Sequence, residues 1–419
     1  MSSWLSSAVT RAEAVSDWLA PQRQASLALL RDAKWPTRKT EAWKYLPINV
    51  WDNTELQADA AESTDATSGV IEGLNSLDLV FVNGQLQSVP GDDLPAGLTV
   101  VSLADASGDA RAWAAETFTA VKPARHLFGL VNDVLATQGV LIDVAAAAVI
   151  EQPIRIVNVL TKGYEAHTRV LVRLGEHAKA TVIEHYVGDQ RSKNTGFAEY
   201  KVGDSAYLEH YRFALQSGES LSIGGSHFEL SARAELSSHL VGFGSTLQRV
   251  DVDVTHAGEH AFAKLNAIYL LDGKELFDLH STIEHAVPNG TTEENVRGIV
   301  ADNSRAVFNG RIHIHRGAQK TLAELNNRNL LMSDRAEINT KPELEIYADD
   351  VRCAHGATIA EIDKKALYYM QSRGVSRSQA QIMLNFGFIN ELVDQMPNQV
   401  LADWLRPQLR DRFAGMEVK

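Results

Sequence analysis

Cysteine is almost absent from this chain: its 419 residues contain one, Cys353. A lone thiol excludes an internal disulfide framework and cannot fill a structural zinc site by itself, so a reducing cytoplasm is the expected location. Phosphate-cradling sequence is missing as well. Asp272-Gly273-Lys274-Glu275 lacks the upstream glycine and the hydroxyl of a nucleotide-binding loop. No dinucleotide fingerprint follows a strand, and there is no Gly-x-Ser-x-Gly elbow or His-Glu-x-x-His helix. Nucleotide chemistry in the chain itself is therefore not expected. Positive charge is in deficit, with 40 Lys and Arg against 53 Asp and Glu for a net −13. That balance argues against a phosphate-backbone binder. The start, Met1-Ser2-Ser3-Trp4-Leu5, has no basic region or continuous apolar stretch of a secretory signal. The most apolar run, Val140 to Ile150, is interrupted by Asp143 and is too short to span a bilayer. Neither nucleic acid nor membrane is an expected partner.

What is present is an ordinary folded composition, 45% hydrophobic and 22% charged, in a chain long enough for two or three modules. Residues 1 to about 53 read as helical and hold five of the seven tryptophans, Trp4, Trp18, Trp35, Trp43 and Trp51. Their rings suit the packing of a small helical domain, with a docking surface as the alternative. Residues 55–76 turn acidic and rich in Ala, Ser and Thr, which reads as a linker. Alternation from Leu77 into Asn83-Gly84 predicts a hairpin, and a short helix is expected around 124–138, ended by Gly139.

The middle of the chain repeats. Gly175-Glu176-His177-Ala178 returns as Gly203-Asp204-Ser205-Ala206, Ser231-Ala232-Arg233-Ala234 and Gly258-Glu259-His260-Ala261, so the alanines recur at intervals of 28, 28 and 27 residues. An alternating strand follows each one. A weaker echo, Ser304-Arg305-Ala306 and Asp334-Arg335-Ala336, has a spacing of 30. A period in the twenties made of strand and turn is the signature of a β-solenoid, whose coils share a core that none could bury alone. An antiparallel sandwich would not return one phrase at a nearly constant interval. The fold is thus read as mainly β: residues 1–76 an N-terminal helical domain and linker, 77–360 a parallel β-helix, and 361–419 a C-terminal helical domain.

Helices are expected to follow the last coil and to cover it, because an open coil exposes unpaired backbone groups. The first runs from Asp363 to Arg373 and stops at Gly374. Ser376 to Gln379 reads as a capping box, and the next helix carries Ala380, Met383, Leu384, Phe388 and Leu392 at helical spacing. Pro397-Asn398 breaks it. Val400, Leu401, Trp404, Leu405, Leu409 and Phe413 start a further stripe, with a kink expected at Pro407. These stripes serve either as core or as a partner-docking face.

Several side chains could carry chemistry. Cys353 and His355 lie two apart on a strand-like stretch and would project to the same side, either as a soft metal-binding or nucleophilic pair or as a packed thiol beside a hydrogen-bonded imidazole. His313 and His315 form a second such pair, with Arg311 and Arg316 beside them and no carboxylate nearby in sequence. His280 with Glu284 and His285 is a third grouping. Asp251 and Asp253 could act as paired carboxylates on a sugar, the alternative reading being a β-helix polysaccharide lyase or hydrolase.

Three passages carry a resemblance: Trp35-Pro36-Thr37-Arg38-Lys39 through Trp43-Lys44-Tyr45, the run from Asn327 to Thr358 through Cys353 and His355, and Tyr368-Tyr369-Met370-Gln371-Ser372-Arg373-Gly374 with its following helix. Together they resemble the SufD family, subunits of the SUF iron–sulfur cluster assembly machinery, over essentially the whole length. The resemblance implies a right-handed parallel β-helix flanked by helical domains, and a non-enzymatic scaffold role. It also implies pairing with the paralogue SufB and docking of the ATPase SufC, which holds the ATP, through the C-terminal helices. A homodimer is expected when these partners are absent. Cys353 and His355 fall on the family's Cys-x-His position near the SufB–SufD interface. There they would serve a transient cluster or iron shared with the partner, the histidine more than the cysteine. No cofactor is expected to be held tightly by the isolated chain.

Overall fold

The recurring Gly-acidic-x-Ala phrase marks a corner of each coil. His177, Ser205, Arg233 and His260, the third residues of the phrase, have φ of 58°, 54°, 56° and 61°. Left-handed backbone of this kind costs a non-glycine residue about 1–2 kcal/mol. The corner holds because it is tied to the next coil: the N–H groups of His177, Ser205 and Arg233 donate to the carbonyls of Asp204, Ala232 and Glu259 at 2.8–2.9 Å. Sequence alone points to the alanine as the corner. In the structure the sharp turn belongs to the residue before it, and Ala178, Ala206, Ala234 and Ala261 are buried at the edge of the core. Exposed His177 gives a direct test. His177→Gly is expected to raise stability by about 0.5–1 kcal/mol, since relief of the left-handed strain outweighs the extra freedom of an unfolded glycine. A higher urea midpoint at unchanged slope is the readout.

The computed structural model describes residues 2–56, 69–91 and 94–416. Each coil contributes one strand to each of two facing sheets, one of ten strands and one of nine, in about eight turns. The strands are parallel and in register, Lys179 beside Tyr207, Glu235, Phe262, Thr291, Leu322 and Arg352 along the ten-stranded sheet. This ladder excludes the antiparallel sandwich. Later coils need 29 to 31 residues where earlier ones need 27 or 28, which is why the echo of the phrase near residue 305 is weak.

The first coil is closed. Gln85–Ser88 pairs antiparallel with Leu77–Val82 through Asn83 (φ 49°) and Gly84 (φ 83°), the expected hairpin. Leu98–Ser102 pairs antiparallel with Gln138–Val144. Most of the supposed linker, residues 57–68, lies outside the described residues. Beyond it Ile71 is buried against the C-terminal helices.

Helices α1 (Ser3–Glu13), α2 (Ala20–Asp32), α3 (Asn49–Asp52), α4 (Gly108–Thr117) and α5 (Leu127–Leu135) form a layer on the outer face of the nine-stranded sheet. Trp4, Trp35, Trp43 and Trp51 surround Phe128 of α5, with ring centroids 4.9–5.9 Å away. The cluster rests on Ile223, Leu247 and Leu276. The tryptophans are thus structural.

Helices α6 (Lys364–Ser372), α7 (Arg377–Val393) and α8 (Gln399–Gly415) each start after a side-chain cap, the one at Ser376 as expected. Asp363 accepts from Lys365 and Ala366, Ser376 from Gln379, and Asn398 from Leu401. Their position corrects an expectation. They do not cover the last coil. Ile389, Leu392, Leu401, Leu405, Leu409 and Phe413 pack instead on the outer face of the ten-stranded sheet, against Ile183, Phe213, Val241, Ile268 and Ile299. Arg412 fixes the arrangement by donating to the carbonyls of Leu270 (2.9 Å) and Phe243 (2.6 Å). Met383, placed on the buried stripe by spacing, faces outward at 57% exposure.

Candidate functional site at the open end

With the helices laid along its side, the solenoid ends in two bare strands, Glu337–Ile346 and Arg352–Glu361, each paired on one edge only. In Arg352–Glu361 the Arg352 N–H donates inward to Thr321 O at 2.9 Å. Backbone groups alternate in direction along a strand, so the N–H groups of Cys353, His355, Ala357 and Ile359 point away from the ladder. The neighbouring edge differs. There Glu337 N–H bonds inward to Ser304 O at 3.1 Å, which puts Pro342, with no N–H, at an outward position. One edge can accept a new strand along its length and the other is blunted by proline.

Cys353 and His355 lie in register with Ala323 and Leu325, both buried core residues. They belong to the inward-facing file of the final coil, which no further coil follows among the described residues. Cys353 is half-buried against the end of the core and His355 is exposed. Burial pushes the Cys353 thiol up from its ordinary value, so by itself it is a thiol rather than a thiolate nucleophile. The exposed His355 imidazole offers an accessible nitrogen donor.

The interior turns polar beneath this end. Asn327 Oδ1 accepts from Asn329 Nδ2 at 2.6 Å and from Thr340 Oγ1 at 2.8 Å, and Tyr269 donates to Asn329. Two coils below His355, in the same file, is Glu294, whose carboxyl burial pushes up to about 7. Two coils below Cys353, Thr292 hydrogen-bonds His256 (2.9 Å) and His285 (3.1 Å). Burial holds both imidazoles neutral, at lowered pKa. Sequence placed His285 in a different grouping and assigned none of these groups to this end, because only the inward register reveals that Thr292 shares a file with Cys353 and Glu294 with His355. A groove of about 460 Å³, lined by Glu41, Lys44, His280, Phe308, Thr340 and Ile359 among others, runs from this end under the N-terminal layer.

The other candidates separate. His313 and His315 face outward with ring centroids 4.5 Å apart. The carboxylates missing from the local sequence come from neighbouring strands, Glu345 at 3.0 Å from His313 and Glu284 at 3.7 Å from His315. His280 and Glu284 face outward while His285 is in the core, so that grouping dissolves. Asp251 and Asp253 are buried under the N-terminal layer. Burial would raise their pKa values, yet Arg249 beside Asp251 and His126 beside Asp253 hold both below the usual carboxylate range. Neither can serve as a proton donor to a glycan near neutral pH.

No described helix is long and apolar enough to cross a membrane. Family models for the SufBD protein N-terminal region and for the SUF system FeS cluster assembly SufBD core domain match residues 6–156 and 158–388. The iron–sulfur cluster assembly protein SufD of Escherichia coli is 31% identical over 405 residues, covering 94% of this chain and 93% of that protein. An iron–sulfur cluster assembly SufBD family protein of Synechocystis is 28% identical, covering 93% of this chain and 90% of its own length. SufD of Bacillus subtilis is 25% identical over 66% of this chain and 64% of that protein. The coils, the two helical layers and these matches agree: the chain belongs to the SufBD family of SUF-system iron–sulfur cluster assembly proteins.

Proposed function

We propose that this chain is the SufD-type scaffold subunit of a SUF assembly complex, joined through its open solenoid end to a SufB-type paralogue. The observation that carries the reading is the bare edge Arg352–Glu361, with Cys353 and His355 in its inward file. A chain that seals its first coil with antiparallel strands and leaves its last coil bare is built to be completed by another solenoid. A cluster formed at such a junction needs only one or two ligands from each side. His355 supplies an accessible imidazole, and Cys353 a thiol that binds iron only after losing its proton. The cluster is cargo built from iron and sulfide, and the same junction is where iron would enter. The chain has no nucleotide loop, so ATP is bound by an ATPase partner of the SufC kind. The docking face for it is the outer surface of α6 and α7, where Tyr368, Tyr369 and Met383 are exposed.

His355→Ala is expected to leave the complex assembled and to lower cluster yield by about 10-fold or more, since a metal ligand is lost. Cys353→Ser should cost less. Iron and sulfide measured in the co-expressed, co-eluting complex test this. Unchanged yield in His355→Ala would remove the histidine from cluster formation. Failure of the wild-type chain to co-elute with its paralogue and ATPase would remove the scaffold reading itself.

A further inference from the structure

We propose that His126, His227 and Asp253 form a site for one divalent first-row transition-metal ion, at the seam between the N-terminal helical layer and the outer face of the nine-stranded sheet. A ring nitrogen of each histidine and a carboxylate oxygen of Asp253 lie within 4.8 Å of one another. Asp253 Oδ2 is 2.7 Å from His126 Nε2 and 2.7 Å from His227 Nδ1. His227 and Asp253 come from strands paired in register, His227 beside Asp253, so the sheet fixes two of the ligands. His126 comes from the turn that begins α5 and closes over them.

Two imidazoles and one carboxylate suit zinc, iron(II) or manganese rather than calcium or magnesium, which favour all-oxygen sets. Local charge is also incomplete. Asp251, Asp253 and Asp278 are buried carboxylates, whereas the guanidinium partners are two, Arg249 on Asp251 (2.8 Å) and Asp278 (3.2 Å), and Arg125 on Asp253. The three carboxylates outnumber the two guanidinium groups, and buried charge is costly when unbalanced. Elsewhere under the same layer the charges match: Asp133 of α5 and Glu199, two strands along the sheet from Asp253, are paired with Lys122 and Arg169. Arg125 engages Oδ1 of Asp253, on the opposite side from the oxygen the imidazoles share. His126 Nδ1 lies 3.7 Å from Asp251 Oδ2. That carboxylate is beyond hydrogen-bond distance here but lies on the side of the ring where a ligating histidine usually has its outer partner. A cavity of about 100 Å³ adjoins the cluster and is bordered, like the larger groove leading to the open end, by Ala42 and His280.

The test uses tag-free, metal-stripped full-length chain titrated with Co²⁺, then Zn²⁺. The expected result is one equivalent of Co²⁺ giving visible d–d bands that Zn²⁺ bleaches, and a Zn²⁺-dependent rise in melting temperature. His126→Ala, which leaves the sheet ladder intact, should weaken binding by at least roughly 100-fold, since even outer partners of a metal site cost 10–100-fold. His227→Gln should do the same where its near-UV spectrum is native, and His126→Ala decides the matter where it is not. The double variant Cys353→Ser, His355→Ala should bind normally, which separates this site from the open end. Absence of stoichiometric binding, binding retained in His126→Ala, or binding lost in the double variant would each overturn the proposal.

Discussion

Ala357→Pro should abolish association with the paralogous subunit while leaving the isolated chain folded. The alternation that points Arg352 N–H toward Thr321 turns the Ala357 N–H outward, so proline there removes no bond of the existing ladder. The residue before it is Gly356, which tolerates the restriction that proline places on its predecessor better than any other. A strand laid against this edge would meet a missing donor and the pyrrolidine ring in the middle of its ladder. Loss of binding by roughly 100-fold, about 2.7 kcal/mol, is expected. Co-elution and titration calorimetry measure it, with an unchanged circular dichroism melt of the isolated variant as the control. Thr358→Pro is the counterpart. Its N–H faces the inner neighbour, so that variant should lose stability rather than only partner affinity. If Ala357→Pro pairs as tightly as wild type, the edge is not the junction, and the partner must meet the inward file or the Pro342 side instead.

The same edge shows how far the sequence could be read. The coils were legible because each corner repeats a turn phrase that ends in a small buried alanine, and a constraint that recurs every 27 or 28 residues is visible without coordinates. The cap at Ser376 was legible because capping is local; Asp363 and Asn398, read as a first helical residue and a helix breaker, prove to be caps as well. Where the C-terminal helices lie was not. An apolar stripe states that a helix face is covered but not by what, and here α7 and α8 fold back along Ile183, Phe213 and Ile268 rather than across the last coil. The site follows the same division. Cys353 and His355 could be placed on one side of a strand from their spacing alone. Glu294 beneath them, Glu345 beside His313, and His126 over Asp253 are brought together by register and by a returning loop 32 to 127 residues away, distances over which side-chain spacing carries no signal.

Glu184→Ala should destabilise the chain by about 3–5 kcal/mol, the usual cost of leaving one member of a buried ion pair unpartnered. Glu184 lies inside the solenoid, fully buried. Its Oε1 accepts from Tyr200 (2.9 Å), His210 Nε2 (3.0 Å) and Ser226 (2.7 Å). Its Oε2 accepts from Tyr186 (3.0 Å) and Arg212 (2.6 Å). A carboxylate only accepts, so His210 carries its proton on Nε2. Removing the carboxylate strands the Arg212 charge and deprives four further donors of a partner across neighbouring coils. Burial acts to raise the pKa of Glu184, but the Arg212 charge and the His210 and Ser226 hydrogen bonds override it and bring the value to about 2. The folded pKa is thus depressed relative to the ordinary 4.5. The stabilisation it represents is complete above about pH 4.5 and fades as pH falls toward 2. Urea unfolding at pH 7, 5 and 3 should therefore show a wild-type-to-variant gap that is equal at the first two and smaller at the third. A gap below about 1 kcal/mol at pH 7, the size of a single ordinary hydrogen bond, would mean that water or repacking replaces the carboxylate. In that case the buried cluster would not be what holds the middle coils together.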